Sequence, residues 1–259
     1  MKSHFHDKVV IVTGASSGIG KETALAFGRA GARVVMVARR GELLRQIAGE
    51  YPQLQLRPLP ADITRSDAAN EIVATTLREF GRIDILVNNA GLGQRGPFAE
   101  LNFDDARRVM DINFFALLRC TQAVVPVLRR QGAGQIVNIS SIVGVIATPQ
   151  NSIYCASKFA VRALSDSLRL ELRSAGIDVI TIVPGHTNTP FFKNQIITNN
   201  SPSWFSSMRG QSPARVATAI LRACRYRRRE VVLTLHGIVG FWAKRLFPGF
   251  VDWCLSRLA

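Results

Sequence analysis

Seven short apolar runs, each followed by a stretch long enough for a helix, constrain this chain most. They cover 9–13, 33–38, 54–59, 83–88, 135–140, 178–183 and 230–235, and several are nearly unbroken Val and Ile. A strand with one wet face alternates apolar and polar residues, whereas a continuous run belongs to a strand covered on both faces. The intervening stretches have helical period and suit the crossovers that parallel strands require. The pattern predicts a single-domain doubly wound α/β fold, a parallel sheet of about seven strands with helices on both faces. No internal repeat or Gly/Ser linker divides it. The expected organisation is one domain over 1–235, with a substrate lid at about 189–211 where turn formers and scattered aromatics break the rhythm, and an amphipathic helical extension over 236–259.

Composition narrows the function classes. With 47% hydrophobic and 20% charged residues in 259, the chain has the balance of a globular protein. Cys120, Cys155, Cys224 and Cys254 stand far apart without a CxxC pair, so neither a metal site nor a disulfide framework is expected, and a reducing compartment fits. The first apolar run leads straight into a glycine turn, unlike a signal peptide. The longest uncharged stretch, 131–157, is broken by Asn138, Ser140, Ser141, Pro149, Gln150 and Asn151, so no membrane span is expected. A cytoplasmic location follows. The net charge of +15 includes the run Arg225, Arg227, Arg228 and Arg229, but no recognition helix, zinc motif or stacking platform accompanies it. A solvated helix end is expected there, and no nucleic-acid partner.

TGASSGIG at 13–20 follows the first run and opens a helix. Glycines there permit a tight turn and a close backbone approach to a pyrophosphate, whose charge is favoured by free N–H groups at the helix start. Tyr154 and Lys158, four residues apart in YCASK, share one helix face if that segment is helical. An ammonium near a phenol favours the phenolate and moves it towards useful acid–base chemistry. Ser140 and Ser141 end a strand just before, Asn113 lies inside a long helical stretch, and NNAG follows the fourth run at 88–91.

Together TGASSGIG, Asp62, NNAG, Asn113, Ser141, YCASK, Pro184, Gly185 and Thr189 resemble the short-chain dehydrogenase/reductase family, in its compact branch of about 250 residues, over roughly 7–235. The resemblance implies that Tyr154 protonates the carbonyl oxygen or takes the proton in reverse, that Ser141 polarises the same oxygen, and that Lys158 binds the nicotinamide ribose and lowers the tyrosine pKa. Asn113 would hold a water that relays protons from Lys158. It also implies that Gly14, Ser16, Ser17, Gly18, Ile19 and Gly20 cradle the dinucleotide, Asp62 and Ile63 meet the adenine edge, and Asn89, Ala90 and Gly91 line the adenosine ribose. Pro184, Gly185, Thr187 and Thr189 would flank the carboxamide, with Thr187 standing where the family often has Val or Ile.

At the end of the second run, where an acidic side chain would accept both ribose hydroxyls of NAD, the chain reads Ala38-Arg39-Arg40. NADP(H) is expected, with Arg39 as the phosphate clamp and Arg40 beside it, and NAD(H) left open. The glycine turn lacks the Lys or Arg that NADPH-preferring relatives often place just before Gly18. The expected function is NADPH-dependent reduction of a ketone or aldehyde, reversibly an alcohol dehydrogenase. The alternative is a catalytically silent NADP(H)-binding sensor or scaffold, which predicts loss of Asn113, Ser141, Tyr154 or Lys158.

By the same resemblance, the substrate pocket would be lined from 92–95 and 143–151, with His186, Phe191, Phe192, Ile196, Ile197, Trp204 and Phe205. That composition suits a hydrophobic, lipid-like carbonyl compound, though the aromatics could instead pack on the core. Beyond Pro248, the residues Phe250, Val251, Cys254, Leu255 and Leu258 recur at helical spacing after Phe247, with Trp242, Trp253, Lys244 and Arg245 nearby. This helix either contacts a membrane peripherally, at the inner face, or packs on the catalytic domain or a neighbouring subunit. The helical stretches 103–130 and 152–175 carry apolar residues on more than one stripe, Val161, Leu164, Leu168 and Leu172 against Phe159, Ala163 and Leu170. In the resembling family these helices build the interface of a homodimer or homotetramer.

Overall fold

The β-branched runs form the strands of one parallel sheet, and left-handed glycines, Gly81 and Gly132, end α3 and α5 between them. The protein is described by a computed structural model over residues 4–198 and 210–257, apart from the side chain of His236. In chain order the first half contains β1 (Val9–Thr13), α1 (Gly18–Arg29), β2 (Arg33–Ala38), α2 (Gly41–Glu50), β3 (Leu56–Pro60), α3 (Ala68–Phe80), β4 (Ile85–Asn88), β5 (Gln94–Arg95), α4 (Phe103–Met110) and α5 (Ala116–Gln131). The second half contains β6 (Gly134–Ile139), α6 (Ser152–Glu171), β7 (Ile177–Val183), β8 (Ile196–Ile197), α7 (Pro213–Arg225), β9 (Glu230–Val232), α8 (Leu235–Leu246) and α9 (Pro248–Ser256).

The seven-stranded sheet has the order β3-β2-β1-β4-β6-β7-β9 with every pair parallel. Successive residues of each central strand feed opposite faces. Val10, Val12, Val34 and Met36 join Phe27, Leu44 and Ile220 on one side, while Ile11, Val35 and Val37 join Ile72, Val124, Leu128 and Leu172 on the other. That two-sided burial is why these runs show no alternation.

The sequence boundaries shift by one residue at β6 and β7 and by two or more at three other strands. The third starts at Leu56 rather than 54, because Leu54 belongs to the turn, where its N–H donates to Tyr51 O. The fourth starts at Ile85, because Asp84 turns its carboxylate onto Val9 N, Lys8 and Arg82. The last ends at Val232, because α8 starts at Leu235 with Thr234 at its N-cap. A two-residue parallel ribbon, β5 with β8, was not expected from sequence; it ties 94–95 to the lid segment.

α4 and α5 form one continuous helix through a π turn at Asp111–Phe115. Phe103–Gln131 is long and apolar enough to cross a bilayer by length and composition. Here it is a core helix, with Leu117, Val124, Val127 and Leu128 buried, the last two-thirds of it against the sheet. On α6, Val161 and Leu172 are buried while Phe159 and Leu170 are exposed. The C-terminal extension forms two helices, α8 and α9. Trp204, Phe205 and Leu258 lie outside the described residues, as does most of the later part of the lid.

Candidate active site

Sheet order reverses between β1 and β4, so their following loops diverge and leave a crevice at the carboxyl ends of the strands. A cavity of about 510 Å³ occupies it. Its floor is the glycine turn. Gly14 and Gly18 have φ of +68° and +55°, and a Cβ at Gly20 would stand 2.3 Å from Gly14 O and 2.5 Å from Asn89 Nδ2. Only glycine lets α1 start this close to the next loop. Thr13 locks the two loops together, its hydroxyl accepting from Asn89 N at 3.0 Å and Ala90 N at 3.2 Å, while Asn89 Nδ2 donates to Thr13 O at 2.9 Å.

α1 opens onto the cavity with Ser17 at its N-cap, no side-chain cap bond and no acidic residue in its first turn. Its first N–H groups are therefore left for an anion. Arg40 supplies the cation that the turn itself lacks: Nη2 donates to Ser16 Oγ at 2.9 Å and Ser17 Oγ at 3.0 Å. Arg39, the expected clamp, also lines the cavity, but its charge acts on Asp62. Burial works to raise the Asp62 carboxyl; hydrogen bonds from Thr64 N and Oγ1, then the charges of Arg39 and Arg65, outweigh it and hold the group below its ordinary value. A cradle that a Cβ would fill, an open helix start and a forked arginine fit the phosphates of a dinucleotide.

The second group stands on α6 and the end of β6. Lys158 is 4% exposed, and its Nζ donates to Ile139 O at 3.0 Å, 5.9 Å from the Tyr154 ring centroid. Ser140 Oγ donates to Lys158 O at 3.0 Å, fixing helix to strand. Ser141 caps the short turn Ile142–Gly144, and its hydroxyl beside the Tyr154 phenol favours the ionised form of that phenol. Burial pushes the phenol well above its ordinary value, only partly offset by Ser141, and lowers Lys158 to about 8. The expected lowering of the phenol by the amine is thus overridden by desolvation in this arrangement.

Asn113 sits in the π turn and is buried. Its Oδ1 accepts from Leu92 N at 2.7 Å and its Nδ2 donates to Leu92 O and Ser157 Oγ, both at 2.9 Å. The side chain therefore spends both amide hydrogens on holding the 88–92 loop against α6. It does not reach the cavity, and neither does Gly20. Ile19, Ile63, Gly91, Pro184, Gly185, Thr187 and Thr189 line the cavity with all the remaining expected residues.

On the substrate side Leu92, Gly93, Arg95, Val143, Asn151, His186, Phe191 and Phe192 are where sequence placed them. Gln94, residues 144–150, Ile196 and Ile197 are not in the lining; β8 turns the two isoleucines into the ribbon. Arg108, Ile112, Asn194 and Gln195 line it without having been singled out. Arg108 and Ile112 are one turn apart on a single helix, a spacing that sequence could have shown.

Because Lys158 releases its proton near 8 when folded but near its ordinary 10.5 when unfolded, the unfolded chain binds more protons between those values. The contribution of Lys158 to the stability of the apo protein should therefore rise as pH increases from about 8 towards 10.5, against the opposite contribution above pH 9 of the buried thiols and phenol, whose proton release burial delays. Thermal denaturation of the protein and of Lys158→Met side by side checks this: the stability difference between them should change with pH across that window, and a pH-independent difference refutes the assignment.

The model of the short chain dehydrogenase family matches residues 8–200. A curated relative, dehydrogenase/reductase SDR family member 7B of Bos taurus, is 36% identical over 90% of this chain and 75% of its own length. A short-chain dehydrogenase from Sphingobium yanoikuyae, solved with NADPH, is 33% identical with a TM-score of 0.81, covering 96% of this chain and 95% of that one. A 3-ketoacyl-(acyl-carrier-protein) reductase from Brucella melitensis, solved with NADH, is 26% identical with a TM-score of 0.80, covering 88% and 98%. With the fold, the glycine cradle and the α6 pair in place, the chain belongs to the short-chain dehydrogenase/reductase family of oxidoreductases.

Proposed function

We propose that the protein is an NADPH-dependent reductase of an apolar ketone or aldehyde, running in reverse as an alcohol dehydrogenase. The observation that carries this reading is Tyr154 and Ser141 side by side at the cavity wall, one helical turn from the buried amine of Lys158. The dinucleotide supplies or accepts the hydride when bound. Tyr154 gives its proton to the carbonyl oxygen, while Ser141 donates a hydrogen bond to the same oxygen and orients the carbon. A neutral phenol suits this direction, since a group pushed up by burial is fully protonated at neutral pH. Lys158 holds the nicotinamide ribose, and Asn113 keeps the loop beneath it in place. Tyr154→Phe should lower turnover by about 10²–10⁴-fold with NADPH binding retained, read by absorbance and fluorescence titration. Unchanged turnover removes the assigned proton donor.

Cofactor preference is read from Arg40, Ser16 and Ser17, a planar fork and two hydroxyls with no carboxylate at Ala38. These groups suit a 2′-phosphate. Arg40→Gln should weaken NADPH binding about tenfold or more with little effect on NADH. Equal losses for both cofactors would refute the assignment.

The substrate's apolar character is supported by Leu92, Val143, Phe191 and Phe192 in the lining. A second apolar surface supports contact with an anionic bilayer. Leu235, Val239, Trp242 and Leu246 follow one face of α8 and are all exposed, and Phe247, Phe250 and Trp253 continue it along α9. The opposite side packs on the site wall, where a Cβ at Gly237 would meet Ile142 Cδ1 at 2.6 Å and one at Gly240 would meet Ile146 Cδ1 at 2.5 Å. Residues 193–259 hold eleven basic residues against two acidic ones, a charge complementary to anionic lipid. Exposed Phe115 in the π turn before α5 and exposed Phe159 and Leu170 on α6 support a homodimer or homotetramer through a separate face. The full chain should float with anionic vesicles and Trp242→Asp should not; absence of flotation overturns the membrane reading. Loss of a light-scattering dimer in Trp242→Asp would assign α8 to a second copy instead.

A further inference from the structure

Among the described residues, nothing else in the fold uses two guanidinium groups at the substrate end of the cavity. Arg95, in β5, and Arg108, in α4, both line it, and α4 packs against β5. Among the described residues neither guanidinium makes a hydrogen bond or ion pair, and Arg95 Nε is buried without a partner. Asp104 lies one turn before Arg108 and does not pair with it. By contrast, the partly buried Arg162 grips Glu230 with two nitrogens, and Arg169 donates to Val179 O and Thr181 Oγ1.

A guanidinium keeps its charge at any pH a folded protein meets, so the desolvation of Arg95 cannot be relieved by losing a proton. A buried polar group left unpaired is costly, and an anion that enters beside it removes that cost. The position is also held firmly. Ile196 N donates to Gly93 O at 2.9 Å and Thr198 N to Arg95 O at 2.8 Å, on one side, and Gly96 N donates to Gln150 O at 2.8 Å on the other. Arg95 therefore sits on a fixed ribbon at the joint between the lid and the loop after β4.

We propose that Arg95 and Arg108 bind an anionic group, a carboxylate or a phosphate, on the substrate itself. With Leu92, Val143, Phe191 and Phe192 forming apolar walls, the substrate is an amphiphile: a carbonyl on an apolar chain that ends in an anion. This rests on the reductase reading and specifies its substrate class. The carbonyl is met by Tyr154 and Ser141, the chain by the aromatic wall and the anion by the two arginines. Binding at both ends fixes how far along the chain the reducible carbonyl lies from the charge.

Three medium-chain ketones of equal length would test it, one ending in a methyl ester, one in a carboxylate and one in a phosphate, scored by NADPH consumption over a range of carbonyl positions. At low salt at least one anion should exceed the ester in kcat/KM by about ten- to a hundredfold, mostly through KM, and the advantage should shrink as salt rises. The better of the two anions identifies the headgroup. Arg95→Met and Arg108→Met should each lower the anion-to-ester ratio, and Arg95→Lys should restore part of it. An ester turned over as well as both anions, or a ratio unmoved in both Met variants, overturns the proposal.

If no ketone is reduced, the reductase reading fails separately, and calorimetry on the NADP⁺-loaded protein still decides the anion site. Saturated carboxylate or alkyl phosphate binding that weakens in Arg95→Met upholds it, and no binding of either refutes it.

Discussion

A parallel strand cannot reach its neighbour by a tight turn, so each of the first six strands of the sheet is followed by a segment that crosses back over it. That constraint covers both faces with helices and leaves the carboxyl ends as the place where loops meet. The order β3-β2-β1-β4-β6-β7-β9 turns outward in both directions from β1 and β4, and the cavity opens where the two halves part. The cofactor side hangs from strand ends: the glycine turn after β1, Arg39 and Arg40 after β2, Asp62 after β3, the 88–92 loop after β4, Ser141 after β6 and Pro184 after β7. The Thr13–Asn89 bonds join the first and fourth of these loops, so the cradle is fixed by contacts between segments far apart in sequence.

The catalytic end is built differently, around one desolvated amine. Lys158 is anchored to Ile139 O through its side chain and to Ser140 through its backbone carbonyl. Those bonds press α6 onto the end of β6 and bring Tyr154, one turn earlier, beside Ser141. Burial has opposite effects on the two titratable groups, raising an acid and lowering a base, so both are shifted towards their neutral forms. A neutral proton donor beside a hydroxyl is the arrangement that reduction of a carbonyl needs. Asn113 contributes from behind, in a π turn whose irregularity aims its amide at Leu92 and Ser157.

The outer surface of the substrate side joins two kinds of apolar wall. Phe191 and Phe192 face the cavity, while α8 presents Leu235, Val239 and Trp242 outward and rests Gly237 and Gly240 on Ile142 and Ile146. One element thus has its inner face on the segment that lines the site and its outer face free. Within the cavity, the charge of Arg95 stands out against these walls, because its Nε is buried without a partner, and the more exposed Arg108 adds a second cation beside it.

Motif spacing and uninterrupted Val/Ile runs were enough to determine the sheet, the glycine cradle and the α6 pair. Each is set by local rules: a two-faced strand needs continuous apolar residues, a tight turn needs glycine, and residues four apart on a helix share a face. Tertiary structure alone decided what depends on long-range packing. It put Arg40 rather than Arg39 on the serines, gave Asn113 its partners at Leu92 and Ser157, turned Ile196 and Ile197 into a ribbon and brought Arg108 beside the lid loop. It also set the protonation of Tyr154 and Lys158, since a pKa depends on how much water surrounds a group, and that is fixed only when distant segments close around it.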